Sequence, residues 1–337
     1  MKKRHDNAVR VSTRLAKIAA VVAASTLALS ACSGGSTASP ESKTQDLGKL
    51  RVIQSITHDL TMGGVEVAQL LDLYPDTLKV EIITGTQTAQ ALATKDVDIG
   101  VAAPTRIIGA MLEGLEVTMV APTIDVWDQY IVASKDFGAT KVEDLKGATF
   151  GTSTFGSASD YTIRKMADVL GWTKDDYKIV TMGDINGLVA GLKNGTIDAL
   201  LWGSFTPFQL EAEGYATVLG SARDLIGPAP LDVIAVRNEV LESRPEAVKA
   251  FCEGVHAANR TMQEDPKKAL QIFTDWGLDP VILPAALEAG LPYLSTSSEI
   301  TDEMLTNLVD ATKFTVANAA DLNLEQMKGM YKNCDEL

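Results

Sequence analysis

The sequence predicts an α/β protein with two α/β lobes, a hinge, a cleft between the lobes, and a helical C-terminal tail. Three observations predict it. Short β-prone runs alternate with helix-period segments from about residue 50 to residue 220, as in largely parallel sheets covered by helices. Two stretches of that region echo each other at one constant offset. Leu92, Lys95, Asp98 and Glu113-Gly114 recur as Leu192, Gly195, Asp198 and Glu213-Gly214. After Leu231 to Val236, which reads as a return crossing, the pattern is almost wholly helical.

The chain opens on a segment expected to lie outside the fold. Lys2, Lys3, Arg4, Arg10, Arg14 and Lys17 make a basic n-region. Ile18 to Ala28 is an apolar run too short for a typical membrane span. Leu29-Ser30-Ala31-Cys32 then has the form of a lipobox, so residues 1–31 read as a lipoprotein signal peptide and Cys32 as the lipidation site. Residues 32–47, rich in Ser, Thr, Gly and Pro, read as a flexible tether. No later stretch is long and apolar enough to cross a membrane. The expectation is a monomer on the extracytoplasmic side of the cell membrane, held at the surface or in the periplasm by its lipid.

The first lobe is expected over 48–125 and 232–337. Leu50 to Ile56 is a strand, followed by the polar loop Thr57-His58-Asp59, then Gly63-Gly64 and a helix over Val65 to Tyr74. Leu78 to Ile83 is the next strand, with Thr84-Gly85-Thr86-Gln87 leading into a short helix over Thr88 to Thr94. Val97 to Ala102 is a third strand, ending at Pro104-Thr105 before a helix over Arg106 to Glu113; Val117 to Ala121 is a fourth. Asp125 to Ser134 reads as a strand leading out.

The second lobe is expected over 126–231. Val142 to Gly147 is a helical turn and Ala148 to Thr152 a brief strand. Ser153 to Ser159 is a loop of small residues and hydroxyls, and a helix runs on to Gly171. Such a loop at a helix start can hold a small anion. The same residues also fit a capping box, with Ser157 as N-cap and Asp160 at N3, which would set a carboxylate where the anion would go. Lys178 to Met182, Asp198 to Trp202 and Thr217 to Leu219 are strands; Ile185 to Lys193 is a helix, and Gly203-Ser204 opens another to about Ala212. In the tail, helices are expected over Pro245 to Met262, Pro266 to Trp276, Pro280 to Leu287, Thr301 to Ala317 and Leu324 to Tyr331, with the prolines at first-turn positions.

Charge narrows the function. The net charge of −14 falls to about −19 once the six basic residues and one aspartate of residues 1–31 are removed. A surface this acidic argues against nucleic-acid binding. Besides Cys32, the chain has Cys252 and Cys334. In an oxidising compartment these are a candidate disulfide; the alternative is one buried thiol and one exposed near the C-terminus. His58 is the one histidine near the expected cleft, so no His-rich metal site is expected. There is no G-x-S-x-G elbow and no Gly-Lys-Ser/Thr phosphate loop, so neither catalysis nor a cofactor is expected.

These features together resemble the substrate-binding lipoproteins of ABC importers in the nitrate/sulfonate/taurine/bicarbonate group, which includes thiamine-pyrimidine-precursor binders. The lipobox, Leu92…Asp98-Ile-Gly100, Val142-Glu-Asp-Leu-Lys-Gly147 before a strand, the Gly156-Ser157 loop, and Asn194-Gly195…Asp198-Ala199 carry the resemblance. It covers about residues 48–265. It implies a type II periplasmic-binding-protein fold and capture of a small polar or anionic organic solute for a permease and its ATPase subunit. By position in that pattern, Thr57, His58, Thr84, Thr86, Gln87, Pro104 and Thr105 would face ligand from the first lobe. Asp125 and Trp127 would face it from the hinge. Ser153, Thr154, Ser157, Trp202, Gly203 and Ser204 would face it from the second lobe. Family members often hold a sulfonate on a Gly-Ser turn before a helix. Ser157 matches that turn; Asp160 departs from the pattern. Trp127 and Trp202 read equally as stacking platforms or as core, Asp125 as ligand contact or turn cap. Arg106 lies on a predicted helix, and Arg164, four residues after Asp160, reads as its ion-pair partner. A sensor module and an enzyme on the same fold stay open as alternatives.

Overall fold

Asp98 and Asp198 do the same task in two sheets. Each carboxylate accepts a backbone N–H of a neighbouring strand, Asp98 from Arg51 at 2.9 Å and Asp198 from Thr149 at 2.8 Å. Each aspartate's own N–H donates to the carbonyl of that same residue. The echo in the sequence is thus a repeated way of docking a strand. A computed structural model describes residues 46–203 and 205–337. The expected signal peptide, Cys32, nearly all of the tether and Ser204 lie outside the described residues.

The first half alternates β1 (Gly48–Gln54), α1 (Gly64–Leu70), β2 (Leu78–Thr84), α2 (Thr88–Ala93), β3 (Ile99–Ala102), α3 (Pro104–Leu112) and β4 (Val117–Pro122). The second half runs β5 (Tyr130–Ser134), β6 (Thr149–Thr152), α4 (Ala158–Val169), β7 (Lys178–Thr181), α5 (Ile185–Lys193), β8 (Ala199–Trp202), α6 (Phe205–Ala212) and β9 (Ala216–Ser221). Then come α7 (Arg223–Ile226), β10 (Val233–Arg237), α8 (Asn238–Ser243), α9 (Pro245–Glu264), α10 (Pro266–Asp275), α11 (Leu283–Gly290), α12 (Asp302–Thr315) and α13 (Leu324–Gly329).

Two five-stranded sheets result, ordered β2-β1-β3-β10-β4 and β7-β6-β8-β5-β9. In each, the antiparallel member is the first strand formed after the chain passes between sheets. That strand is β10 in the first sheet and β5 in the second. Side-chain alternation gives each sheet two cores. Leu50, Val52, Ile99, Val101, Ile234 and Val236 share one with Val248, Phe251 and Val255 of α9. Ile53, Val233 and Ala235 share the other with Leu92, Ile107 and Ile108 of α2 and α3. In the second sheet Phe150, Ala199 and Leu201 pack with Ile163 and Met166 of α4, and Val132 and Leu200 with Leu188 and Leu192 of α5.

Side-chain caps set several helix starts: Asp184, Asp265, Thr301 and Asn323 each accept an N–H of the following first turn. The echo reaches the backbone too. Lys95 stands at φ 63° where its counterpart Gly195 stands at 77°. Glycine takes that region freely, whereas a lysine is held there at a cost. Cys252 of α9 and Cys334 form a disulfide with Cα atoms 6.6 Å apart, fastening the C-terminus to the first sheet's helix layer.

Some expected boundaries move. The helix expected to reach Tyr74 stops at Leu70, with Asp72 turned left-handed at φ 53°. Of the strand expected over Asp125 to Ser134, only Tyr130–Ser134 is strand, because the preceding residues cross between sheets. The helix expected from Pro280 begins at Leu283, since the Asp279 carboxylate takes the Val281 N–H and forms a turn first. The short helices α7 and α8 have no counterpart among the expected elements.

Candidate functional site

Register decides which residues can meet. In the first sheet Gln54 pairs with Thr84, and Val233 pairs with both Ala102 and Pro122. The ends of β1 to β4 and the start of β10 therefore share one edge. In the second sheet Thr152 pairs with Thr181, and Tyr130 with Trp202 and Ser221, so the ends of β6 to β9 and the start of β5 share another. Both crossings, residues 123–129 and 222–232, run from one edge to the other. The edges therefore face each other across a cleft, where open α/β sheets bind ligands. The crossings pair through Thr123 N–H to the Asp232 carbonyl at 3.1 Å and Ala222 N–H to the Gln129 carbonyl at 2.8 Å. A tail segment joins them, with Asp125 N–H on the Tyr293 carbonyl at 2.9 Å and Ser295 N–H on the Thr123 carbonyl at 3.0 Å.

On the first edge, Thr57 is half-buried in the loop after β1. His58 is exposed and left-handed at φ 56°, and its ring stacks on Trp276 at 4.8 Å. Its N–H donates to Glu66 at 2.7 Å. Thr84, Thr86 and Gln87 are exposed at the end of β2. Pro104 and Thr105 form the buried first turn of α3, and the Thr105 hydroxyl has no hydrogen-bond partner. Asp125 accepts the Ser295 hydroxyl, and burial pushes its carboxyl above the usual range.

On the second edge half of the expected capping box is present: Ser157 caps the helix, but the Asp160 carboxylate reaches back to Gly156, not to the Ser157 N–H. Ser157 caps α4, accepting the Asp160 N–H at 3.3 Å, and its hydroxyl lies 2.8 Å from that of Thr152. The Asp160 carboxylate accepts the Gly156 N–H at 2.9 Å and pairs with Arg164 at 2.8 Å. The chain's own carboxylate thus occupies the anion position of this turn. Ser153 is half-buried and Thr154 exposed. Trp202 ends β8 half-buried, beside Gly203. Trp127 is 0% exposed; its Nε1 donates to Thr162 at 2.7 Å and its ring meets Tyr161 edge-on. Of the two readings left open for it, the structure has core packing.

Several residues at this junction were given no ligand role from sequence. Asp232, just before β10, is buried, and its carboxylate lies 3.1 Å from the Thr61 hydroxyl, which is itself 2.7 Å from Asp59. Thr61 has one hydroxyl hydrogen for two carboxyls, so a proton on Asp232 completes the row. Burial, reinforced by the charge of Asp59, pushes the Asp232 carboxyl up to about 7. Asp128, fully buried, pairs with Arg223 at 2.9 Å. The Arg223 guanidinium also donates to Tyr130 and to the Ala289 carbonyl of the tail. Arg106 donates to the Thr154 hydroxyl at 3.1 Å, from the first edge to the second. Its position carried a signal: an arginine in a helix's first turn opposes the helix dipole. Among the described residues no cluster of three or more His, Cys, Asp or Glu could hold a metal, and no helix is long and apolar enough to cross a membrane.

The family model for NMT1/THI5-like proteins matches residues 62–269. No curated protein sequence matches. Among solved structures, the chain is similar to the periplasmic aliphatic sulphonate binding protein of Escherichia coli. Identity is 15%, coverage 85% of this chain and 92% of that one, and the TM-score 0.68. It is similar to the alkanesulfonate-binding protein of Xanthomonas axonopodis at 17% identity, covering 84% and 94%, with a TM-score of 0.64. The periplasmic nitrate-binding protein of Synechocystis matches at 14% identity, covering 83% and 87%, with a TM-score of 0.62. At these identities the likeness is one of fold: two lobes of the periplasmic-binding-protein kind.

Proposed function

The chain belongs to the NMT1/THI5-like family, and we propose that it is the extracytoplasmic solute-binding lipoprotein of an ABC importer. It captures a small polar or anionic organic solute between its lobes and delivers it to the permease, whose ATPase subunit drives import. It is not an enzyme. Residues 1–31 direct export and Cys32 carries the lipid. Residues 48–125 with 232–337 form one lobe and 126–231 the other.

The observation that carries this reading is the pair of strand-end edges facing across the crossings, both lined with hydroxyls and amides. Solved proteins of this fold named for binding alkanesulfonate, aliphatic sulphonate and nitrate support it. Ligand contacts fall to Thr84, Thr86 and Gln87 on one edge and to Ser153, Thr154 and Trp202 on the other. A ligand touching both edges makes more contacts when they approach, and so favours the closed state.

The test is a thermal-shift panel of sulfonates, nitrate, carboxylates and pyrimidines on residues 33–337. One class is expected to raise the melting temperature, and the shift is expected to shrink in a Thr84→Ala, Trp202→Ala double variant. An equal shift in that variant would put the site elsewhere.

A further inference from the structure

We infer that Arg106, not the Ser157 turn, is the residue that receives the acidic group of the ligand. This inference rests on the solute-binding reading and names the chemical class of the solute: a small molecule carrying a negative charge.

The turn before α4 cannot serve an external anion without displacing one already there. Gly156 N–H, the donor at its mouth, is taken by Asp160 at 2.9 Å. The Ser157 hydroxyl is 4% exposed with its residue and committed to the Asp160 N–H and to the Thr152 and Ser159 hydroxyls. An incoming sulfonate or carboxylate would also meet the Asp160 charge.

Two of the three arginines at the lobe junction are likewise neutralised. Arg164 is held by Asp160 at 2.8 Å and Arg223 by the fully buried Asp128 at 2.9 Å. Arg106 differs. The residue is exposed, and its guanidinium bonds to a neutral hydroxyl, that of Thr154, across the cleft. The charge of Arg106 is felt by Asp232, but that carboxyl is buried and hydrogen-bonds to Thr61, not to Arg106. A guanidinium has five donors in a planar fork suited to carboxylate, sulfonate or phosphate oxygens. Arg106 also sits beside Thr105, whose buried hydroxyl has no partner. The first turn of α3 thus offers a charge held out from one lobe to the loop of the other. Such a bridge makes ligand charge and lobe closure a single event: the anion that engages Arg106 also meets the Ser153-Thr154 loop.

The experiment titrates residues 33–337 by calorimetry with methanesulfonate, acetate and nitrate, with methylammonium as the cation control and uracil as the neutral control. Wild type, Arg106→Gln, Arg106→Lys and Thr154→Val are compared. An anionic probe is expected to bind wild type, to lose at least about tenfold in affinity in R106Q, and to lose less in R106K. T154V, which removes one contact of the second lobe and keeps the charge, is expected to lose less affinity than R106Q. Thermal melts of each variant without probe verify that it is folded. Equal anion affinity in R106Q and wild type, or binding of methylammonium or uracil alone, would overturn the role of Arg106 while leaving the solute-binding reading intact. Failure of every probe to bind folded wild type would count against both.

Discussion

Replacing Asp232 by Asn should change how stability depends on pH, in a direction the structure fixes. In the folded chain the carboxyl is buried, faces Asp59 through Thr61, and is pushed from 3.8 up to about 7. A group whose folded value is raised adds stability at low pH and loses it as pH rises through the folded value. At pH 5 the unfolded chain has already ionised this group, leaving about two pH units to the folded value. At about 1.36 kcal/mol per unit, ionised Asp232 should therefore cost about 2.7 kcal/mol more at pH 8 than at pH 5. Asparagine cannot ionise, and its amide can donate to Thr61 as the protonated acid does. Wild type alone would hide the effect. Burial holds His256 down to about 4, so that group gains stability as pH rises toward 6.5, opposing Asp232 over the same range. The assay is urea unfolding of wild type and D232N at pH 5, 6, 7 and 8, where the difference between them isolates Asp232. D232N should gain on wild type by about 2.7 kcal/mol from pH 5 to 8. A gap constant to within about 0.5 kcal/mol would refute the placement of a strained carboxyl at this junction.

Other outcomes follow from the same packing. Reducing Cys252–Cys334, which closes a separation of 82 residues, should lower stability by about 4 kcal/mol, read as a fall in melting temperature with reductant that a Cys252→Ser, Cys334→Ser variant no longer shows. Ser157→Ala removes the α4 cap and should cost about 1 kcal/mol in urea unfolding. Trp127→Phe removes the buried indole N–H that donates to the Thr162 hydroxyl, while Gln129 keeps Thr162 as its donor, and should cost about 1–3 kcal/mol, with loss of the fluorescence of a buried indole. Lys95→Gly should stabilise by about 0.5–1 kcal/mol, less whatever the exposed Lys95–Glu239 pair contributes.

The elements carried by local pattern were legible. The echo of Asp98 in Asp198 marks two equivalent dockings of a strand, and Ser157 is the N-cap its position predicts, although Asp160 turns to Gly156 and does not close the capping box. Alternating strands and helices give the two sheets, whose fold the sulphonate- and nitrate-binding structures share. The residues that were not legible meet only in three dimensions. Asp232 and Thr61 lie 171 residues apart, and Arg223 reaches Ala289 66 residues on, so no window of sequence contains either partner. Asp125 to Gln129 read as strand because β-prone residues also suit an extended crossing, and only the second crossing beside it shows the difference. Trp127 shows the limit of composition: a large aromatic at a hinge serves a ligand or a core equally well until its neighbours are known.

The most direct measurement is native mass spectrometry of residues 33–337 purified from the source cells, before and after mild unfolding. Solute capture between the lobes predicts a second charge-state series heavier by one small molecule, lost on unfolding, with a negatively charged fragment if Arg106 receives it. A single series at the bare protein mass, unchanged when the protein is incubated with a metabolite extract of those cells, would contradict a solute-binding role.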